Sequence, residues 1–172
     1  MTEGVMDNQT MKRYTAVVMS LLRTSDIVNR YLELKLRENG STPIESPIQF
    51  VFINALLLRT GRKTPTNLSK WVFRATHTVT SMIDTLARKQ LVRRRRDGKD
   101  RRSVNIVLTE KGIDANRKVI PILEEVSGAV LHDIEDRQIE ELSNILRQIR
   151  KHLLAQIDKA SSEEEVKLEA RR

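Results

Sequence analysis

The sequence predicts a mainly α-helical fold with a small two-stranded β-wing, and three observations carry that prediction. Apolar residues recur at helical spacing along most of the 172-residue chain. A single Asp97-Gly98 pair stands between two short segments, the second of which alternates Val104, Ile106 and Leu108, the pattern of a hairpin. The excess of basic residues is confined to one stretch, residues 62–102.

The elements follow in order. Residues 10–37 read as one long amphipathic helix, with Val17, Val18, Leu21, Leu22, Val28, Tyr31, Leu32 and Leu36 on its stripe. Glu38 to Pro43 supply the turn that ends it. Ser46-Pro47 opens a second helix, Ser as N-cap and Pro preset at the first helical position, running to about Thr60 with Gly61 as its stop. This helix is apolar on most sides and is expected at the centre of its domain. A short helix is expected at 67–73, with Trp71 and Phe73 as packing residues. The next helix, 76–89, places Val79, Met82, Ile83 and Leu86 at i, i+3, i+4 and i+7, within about 50° of one direction at roughly 100° per residue. His77, Ser81, Asp84 and Arg88 fall on the opposite side, flanked by Thr78 and Thr80. The hairpin follows, and Thr109 then caps a helix at 110–131 that Pro121 is expected to kink. A last helix, 136–158, presents Ile139, Leu142, Ile145, Leu146, Ile149, Leu153 and Ile157, and residues 160–172 are polar enough to be expected to fray.

Charge narrows the function. The chain carries 31 Lys and Arg against 23 Asp and Glu, a net +8. Residues 62–102 alone hold thirteen basic residues and three acids, a net +10, so the remainder is −2. A strongly basic module between weakly acidic flanks is the footprint of a polyanion-binding surface. The absence of cysteine excludes disulfides, Cys-ligated metals and thiol sensing. Six aromatic residues are too few for a protein that mainly stacks on single-stranded bases. His132 and His152 have no matching ligand spacing, and there is no phosphate loop, nucleophile elbow or triad, so neither a metal, a cofactor nor catalysis is expected. The most apolar run, Phe50 to Leu58, is far shorter than the roughly 20 residues of a membrane span, and the N-terminus has no signal-peptide pattern. A cytoplasmic protein without membrane partners is the expectation.

Helix, turn, helix and basic hairpin in that order form a winged helix-turn-helix. A helix fits the major groove, where each base pair shows its own donor and acceptor pattern. A basic hairpin beside it reaches the minor groove or backbone. The motifs Thr78-Val79-Thr80, Met82 to Leu86 and Lys89-Gln90-Leu91-Val92-Arg93-Arg94 resemble the MarR family of transcriptional regulators. So does the stretch from Asp97-Gly98-Lys99-Asp100-Arg101-Arg102-Ser103 to Leu108-Thr109-Glu110-Lys111-Gly112. The resemblance covers residues 67–112.

It implies a homodimer built from the first and last helices, and ligand-modulated binding to pseudo-palindromic operators, usually as a repressor. On the recognition helix it puts His77, Thr78, Thr80 and Ser81 against the bases, with Thr76 as the expected cap and a fifth contact. Arg102 falls at the wing-tip arginine, with Asp100 positioned to orient it, and Arg94, Arg96, Lys99 and Arg101 are expected at the wing and DNA backbone. Ser81 stands where the family often has a long basic residue. The corresponding division is 1–45 for an N-terminal dimerisation helix, 46–109 for the winged helix-turn-helix, 110–160 for C-terminal dimerisation helices and 161–172 for a polar tail. The expected partners are double-stranded DNA, a second copy of the chain and a small-molecule effector. The alternative reading is a non-specific architectural or nucleoid-type DNA-binding protein, which competition with bulk DNA separates from a site-specific regulator.

Overall fold

A computed structural model describes residues 7–96 and 104–169, without the side chains of 161–169. One compact unit ends at Val130 and a second begins at Leu131. The first contains α1 (Asn8–Asn39), α2 (Pro47–Leu58), α3 (Pro65–Val72), α4 (Thr76–Arg88), β1 (Val92–Arg96), β2 (Val104–Leu108) and α5 (Glu110–Val130). The second contains α6 (Asp136–Glu169).

Local chemistry sets most of these boundaries. Asp7 accepts from the backbone N–H groups of Gln9 and Thr10 to open α1, and Gly40, left-handed at φ +59°, closes it. Only the last third of α1 is built into the core, through Leu32 and Leu36; Met11, Tyr14, Val17, Val18 and Leu22 are exposed. Lys35 Nζ pairs with Glu125 at 2.8 Å and ties this end of α1 to α5. That carboxylate, its hydrogen bond first and its charge second, raises the Lys35 pKa.

Helix α2 corrects three expectations. It ends at Leu58, because Arg59 turns extended after its N–H bonds to Ala55 O, so Gly61 lies in the following turn and is not the stop. Ser46 occupies the N-cap position without a side-chain cap bond. The helix buries Phe52, Ile53 and Leu56 but exposes Val51, Leu57 and Leu58, so one side only faces the core. Helix α3 starts two residues earlier than expected, since Thr64 accepts from Asn67 N–H and Pro65 takes the first helical position. Trp71 packs against the core, whereas Phe73 is left-handed at φ 51° and exposed in the turn between α3 and α4. Phe73 is therefore not a packing residue.

Strands β1 and β2 pair antiparallel, with Val92 opposite Leu108, Arg94 opposite Ile106 and Arg96 opposite Val104. The free edge of β2 is also used: Ile106 N–H donates to Lys63 O at 2.9 Å, and Lys63 N–H to Asn105 Oδ1 at 3.1 Å. Thr109 caps α5 by accepting from Gly112 N–H at 3.0 Å. Pro121 is exposed inside α5 and does not divide it. The core of this first unit gathers residues from every one of its elements, with Ile44, Phe52, Leu68, Val79, Ile83, Leu91, Ile106 and Val119 fully buried.

Helix α6 continues to Glu169, which corrects the expectation of fraying for residues 160–169; residues 170–172 lie outside the described residues. The segment is polar, but Ala, Glu, Lys and Leu dominate it and all are strong helix formers. Polarity forecast a lack of core; it did not forecast a lack of helix. Of its apolar stripe, Leu142, Ile145, Leu146, Leu153 and Ile157 are exposed.

Candidate nucleic-acid interface

Helix α4 owes its orientation to its four apolar residues. Val79, Met82, Ile83 and Leu86 are all buried, as the spacing predicts, and this turns Thr76, His77, Thr78, Ser81, Asp84 and Arg88 outward. Thr80 is half-buried at the edge of that face. The N-cap is Ala75, which offers no side-chain acceptor. Thr76 is thus not the cap: it lies inside the helix, and its hydroxyl donates to Ser69 Oγ of α3 at 3.3 Å. That bond links the two helices across the turn.

The small hydroxyls on this face share a geometry. Thr80 Oγ1 donates to Thr76 O at 2.9 Å and Ser81 Oγ to His77 O at 3.2 Å, each one helical turn back. With the proton so directed, the oxygen lone pairs face outward as acceptors. His77 and Thr78 project beside them. The helix therefore presents short side chains that let its backbone come close to a groove floor and accept from exposed amino groups there.

The hairpin stands at the C-terminal end of α4, joined to it by a tight reversal. Gln90 is left-handed at φ 61°, Gln90 N–H bonds to Ala87 O, and Leu91 N–H bonds to Leu86 O, the Schellman pattern with glutamine where glycine is usual. Strand alternation then divides the arginine run. Arg94 and Arg96 share a side with buried Val92, the side toward α4, while Arg93 and Arg95 point the other way; all four are exposed. Arg94 Nη2 meets Asp84 Oδ1 of α4 at 2.8 Å. Asp84 was visible in the sequence only as one polar residue on the outer face of the helix. Its pairing with Arg94 depends on strand register and on the tight turn, which no local pattern reports.

Other basic residues of the segment are engaged within the protein. Lys63 Nζ donates to Leu56 O at 2.5 Å, at the carbonyl end of α2, and Arg74 bonds to the carbonyl of Phe73 at 3.0 Å. Lys99, Asp100, Arg101 and Arg102, together with the expected turn residues Asp97 and Gly98, lie outside the described residues. Among the described residues no three His, Cys, Asp or Glu gather as a metal site, and no helix is long and apolar enough to cross a membrane.

A helix–turn–helix followed by a paired basic hairpin is now in place, and a sequence model of the MarR family matches residues 55–104. Over those residues the chain is similar to the MarR family. The matched span runs from α2 through α4 to the first residue of β2, so it contains the outward face of α4 and all of β1. Solved structures agree over a longer range, and the fold is that of MarR-family transcriptional regulators. A MarR family protein from Bacillus stearothermophilus is 29% identical, with a TM-score of 0.65 over 83% of this chain and 96% of that one. The transcriptional regulator BldR from Sulfolobus solfataricus is 25% identical, with a TM-score of 0.67 over 86% and 99%. The organohalide-sensing regulator RdhR-CbdbA1625, solved with 2,4-dichlorophenol bound, is 21% identical, with a TM-score of 0.71 over 90% of both chains. No curated protein sequence matches this chain. MarR-family members are transcriptional regulators, not enzymes.

Proposed function

We propose that this chain is a sequence-specific double-stranded DNA-binding regulator, acting as a homodimeric repressor on a pseudo-palindromic operator. The observation that carries the reading is the outward face of α4, where His77, Thr78 and Ser81 are exposed and Asp84 pairs with Arg94 of the basic wing. Thr76 and Thr80 complete the helix contacts from its edges. From the sequence resemblance, Lys99, Arg101 and Arg102 extend the basic surface along the wing, with Asp100 orienting Arg102.

Dimerisation through residues 1–45 and 110–160 is supported by apolar side chains that meet no core: Met11, Tyr14, Val17, Val18 and Leu22 on α1, and Leu142, Ile145, Leu153 and Ile157 on α6. Exposed apolar stripes of this length mark association surfaces. A two-fold protein reads two half-sites, which is how one short helix reaches operator-level specificity. A cleft of about 310 Å³ supports release by a small-molecule effector, since Asp26, Asn29, Arg30 and Glu33 of α1 face Pro47, Ile48 and Arg74 across it. A ligand there joins the helix proposed for dimerisation to the turn of the helix–turn–helix. The bound dichlorophenol of the organohalide-sensing neighbour makes phenolic compounds the first to try.

The test is a pair of wing variants. Arg96→Ala and Arg102→Ala are each expected to weaken binding to a selected operator several-fold and to lower the salt-dependence slope by about 0.9 per phosphate contact removed. Unchanged affinity and slope in both would remove the wing from the interface.

A further inference from the structure

Lys89 belongs to the basic segment, yet its ammonium faces the protein. It is the C-cap residue of α4, and Nζ donates to Pro43 O at 2.8 Å and pairs with Glu45 Oε1 at 2.8 Å. Its side chain is 22% exposed. Both partners lie in the connection between α1 and α2. That connection is anchored on its other flank as well. Thr42 is buried, donates its hydroxyl to Ala115 O of α5 at 3.0 Å and accepts from Ile44 N–H at 3.2 Å, and Ile44 is fully buried. The short segment leaving α1 is thus held to α5 by Thr42 and to the end of α4 by Lys89.

We infer that Lys89 is a positioning residue for duplex binding, a latch that fixes the tilt of α4 and not a phosphate contact. The inference deepens the reading of α4 as the recognition helix and rests on it. Three physical points support the latch. Two of the ammonium's three donors are taken by protein oxygens, and one of those oxygens carries a full charge. The base-facing residues sit in the N-terminal half of α4, and Ser81 is about 12 Å along the axis from Lys89. A tether at the far end controls the near end by leverage: a tilt of about 3° about Lys89 moves His77 by roughly 1 Å, enough to spoil hydrogen bonds to base edges.

The experiment turns on a sign. Glu45→Gln removes a negative charge, so a purely electrostatic account of DNA affinity predicts binding as tight or tighter. The latch predicts weaker binding, roughly twofold. Lys89→Met keeps the apolar stem and is expected to weaken binding roughly three- to tenfold with the salt slope unchanged. A phosphate-contacting lysine would instead lower the slope by about 0.9 for each protomer. The double variant should bind no more weakly than Lys89→Met alone, because both substitutions open the same latch. Titrations of the full chain on an in vitro selected duplex decide the matter, with melting curves to confirm folding. A slope lowered by about one unit in Lys89→Met, or Glu45→Gln binding as tightly as wild type, overturns the latch. If Lys89→Met fails to fold, Glu45→Gln alone decides. Wild-type protein that does not distinguish the selected duplex from a scrambled one refutes the recognition-helix reading itself, and the role of Lys89 with it.

Discussion

Replacing Gly112 by alanine sets two effects of opposite sign against each other. Gly112 lies in the first turn of α5, where alanine is intrinsically the better helix residue by about 1 kcal/mol. The packing opposes it. A Cβ added at Gly112 would stand 2.1 Å from the backbone oxygen of Leu91 and 3.0 Å from Leu108 Cδ2. Carbon and oxygen rest no closer than about 3.3 Å, so α5 or the root of the wing must move by about 1 Å. The oxygen of Leu91 cannot yield freely, because it accepts from Thr109 N–H at 3.1 Å while Thr109 Oγ1 donates to the neighbouring Gln90 O at 2.7 Å. The same Thr109 oxygen caps α5 at Gly112 N–H. Overpacking of this kind costs about 1–3 kcal/mol and loss of the cap about 1 kcal/mol more. Steric cost wins. Net of the helix-propensity gain, Gly112→Ala is expected to lose about 1–3 kcal/mol of stability, a fall in Tm of about 2–12 °C by thermal denaturation for a chain of this size. A Tm at or above wild type would show that the helix, the wing root and Thr109 are not packed as described.

Two further predictions concern single turns. Gln90 holds the left-handed position of the Schellman turn between α4 and β1. Gln90→Gly removes a strain of about 1 kcal/mol, offset in part by the greater freedom of glycine in the unfolded chain, for a net gain of about 0.5 kcal/mol; a lower denaturation midpoint in urea would contradict this. The Asp7 carboxylate is held below its ordinary 3.8 chiefly by the Thr10 hydroxyl and then by the Thr10 and Gln9 backbone N–H groups. A depressed carboxylate stabilises the fold fully above its unfolded pKa and loses that contribution as pH falls through the folded one. Helical circular dichroism should therefore show less loss between pH 4.5 and 2.5 in Asp7→Ala than in wild type, and superimposable curves would exclude Asp7 as the cap.

The outward face of α4 was legible in the sequence to the extent that periodicity controls it. Val79, Met82, Ile83 and Leu86 had to share a face, and burying them leaves no choice about where His77, Thr78 and Ser81 point. The alternation of Val104, Ile106 and Leu108 set the wing strand in the same way. Where a side chain's partner came from a distant segment, the sequence was silent. Counting thirteen basic residues could not reveal that Arg94 pairs with Asp84, Lys63 with the end of α2, and Lys89 with the α1–α2 connection. Those pairings arise from register and tertiary approach. The boundaries of α2 and the cap of α4 were misread because backbone geometry at Arg59 and Ala75, and not a favourable side chain, sets them. Phe73 was misread because hydrophobicity suggests burial, while a left-handed turn residue points where the turn directs it.

In the proposed function, a polar helix face and a basic wing, doubled by dimerisation, read one DNA sequence. Competition titration at physiological salt tests it most directly, with a duplex selected from genomic fragments as probe and bulk DNA as competitor. Two chains per bound duplex are expected, with a preference of about a thousandfold or more over bulk DNA. Binding that bulk DNA displaces at equal concentration of sites would contradict it and would mark the chain as an architectural DNA-binding protein.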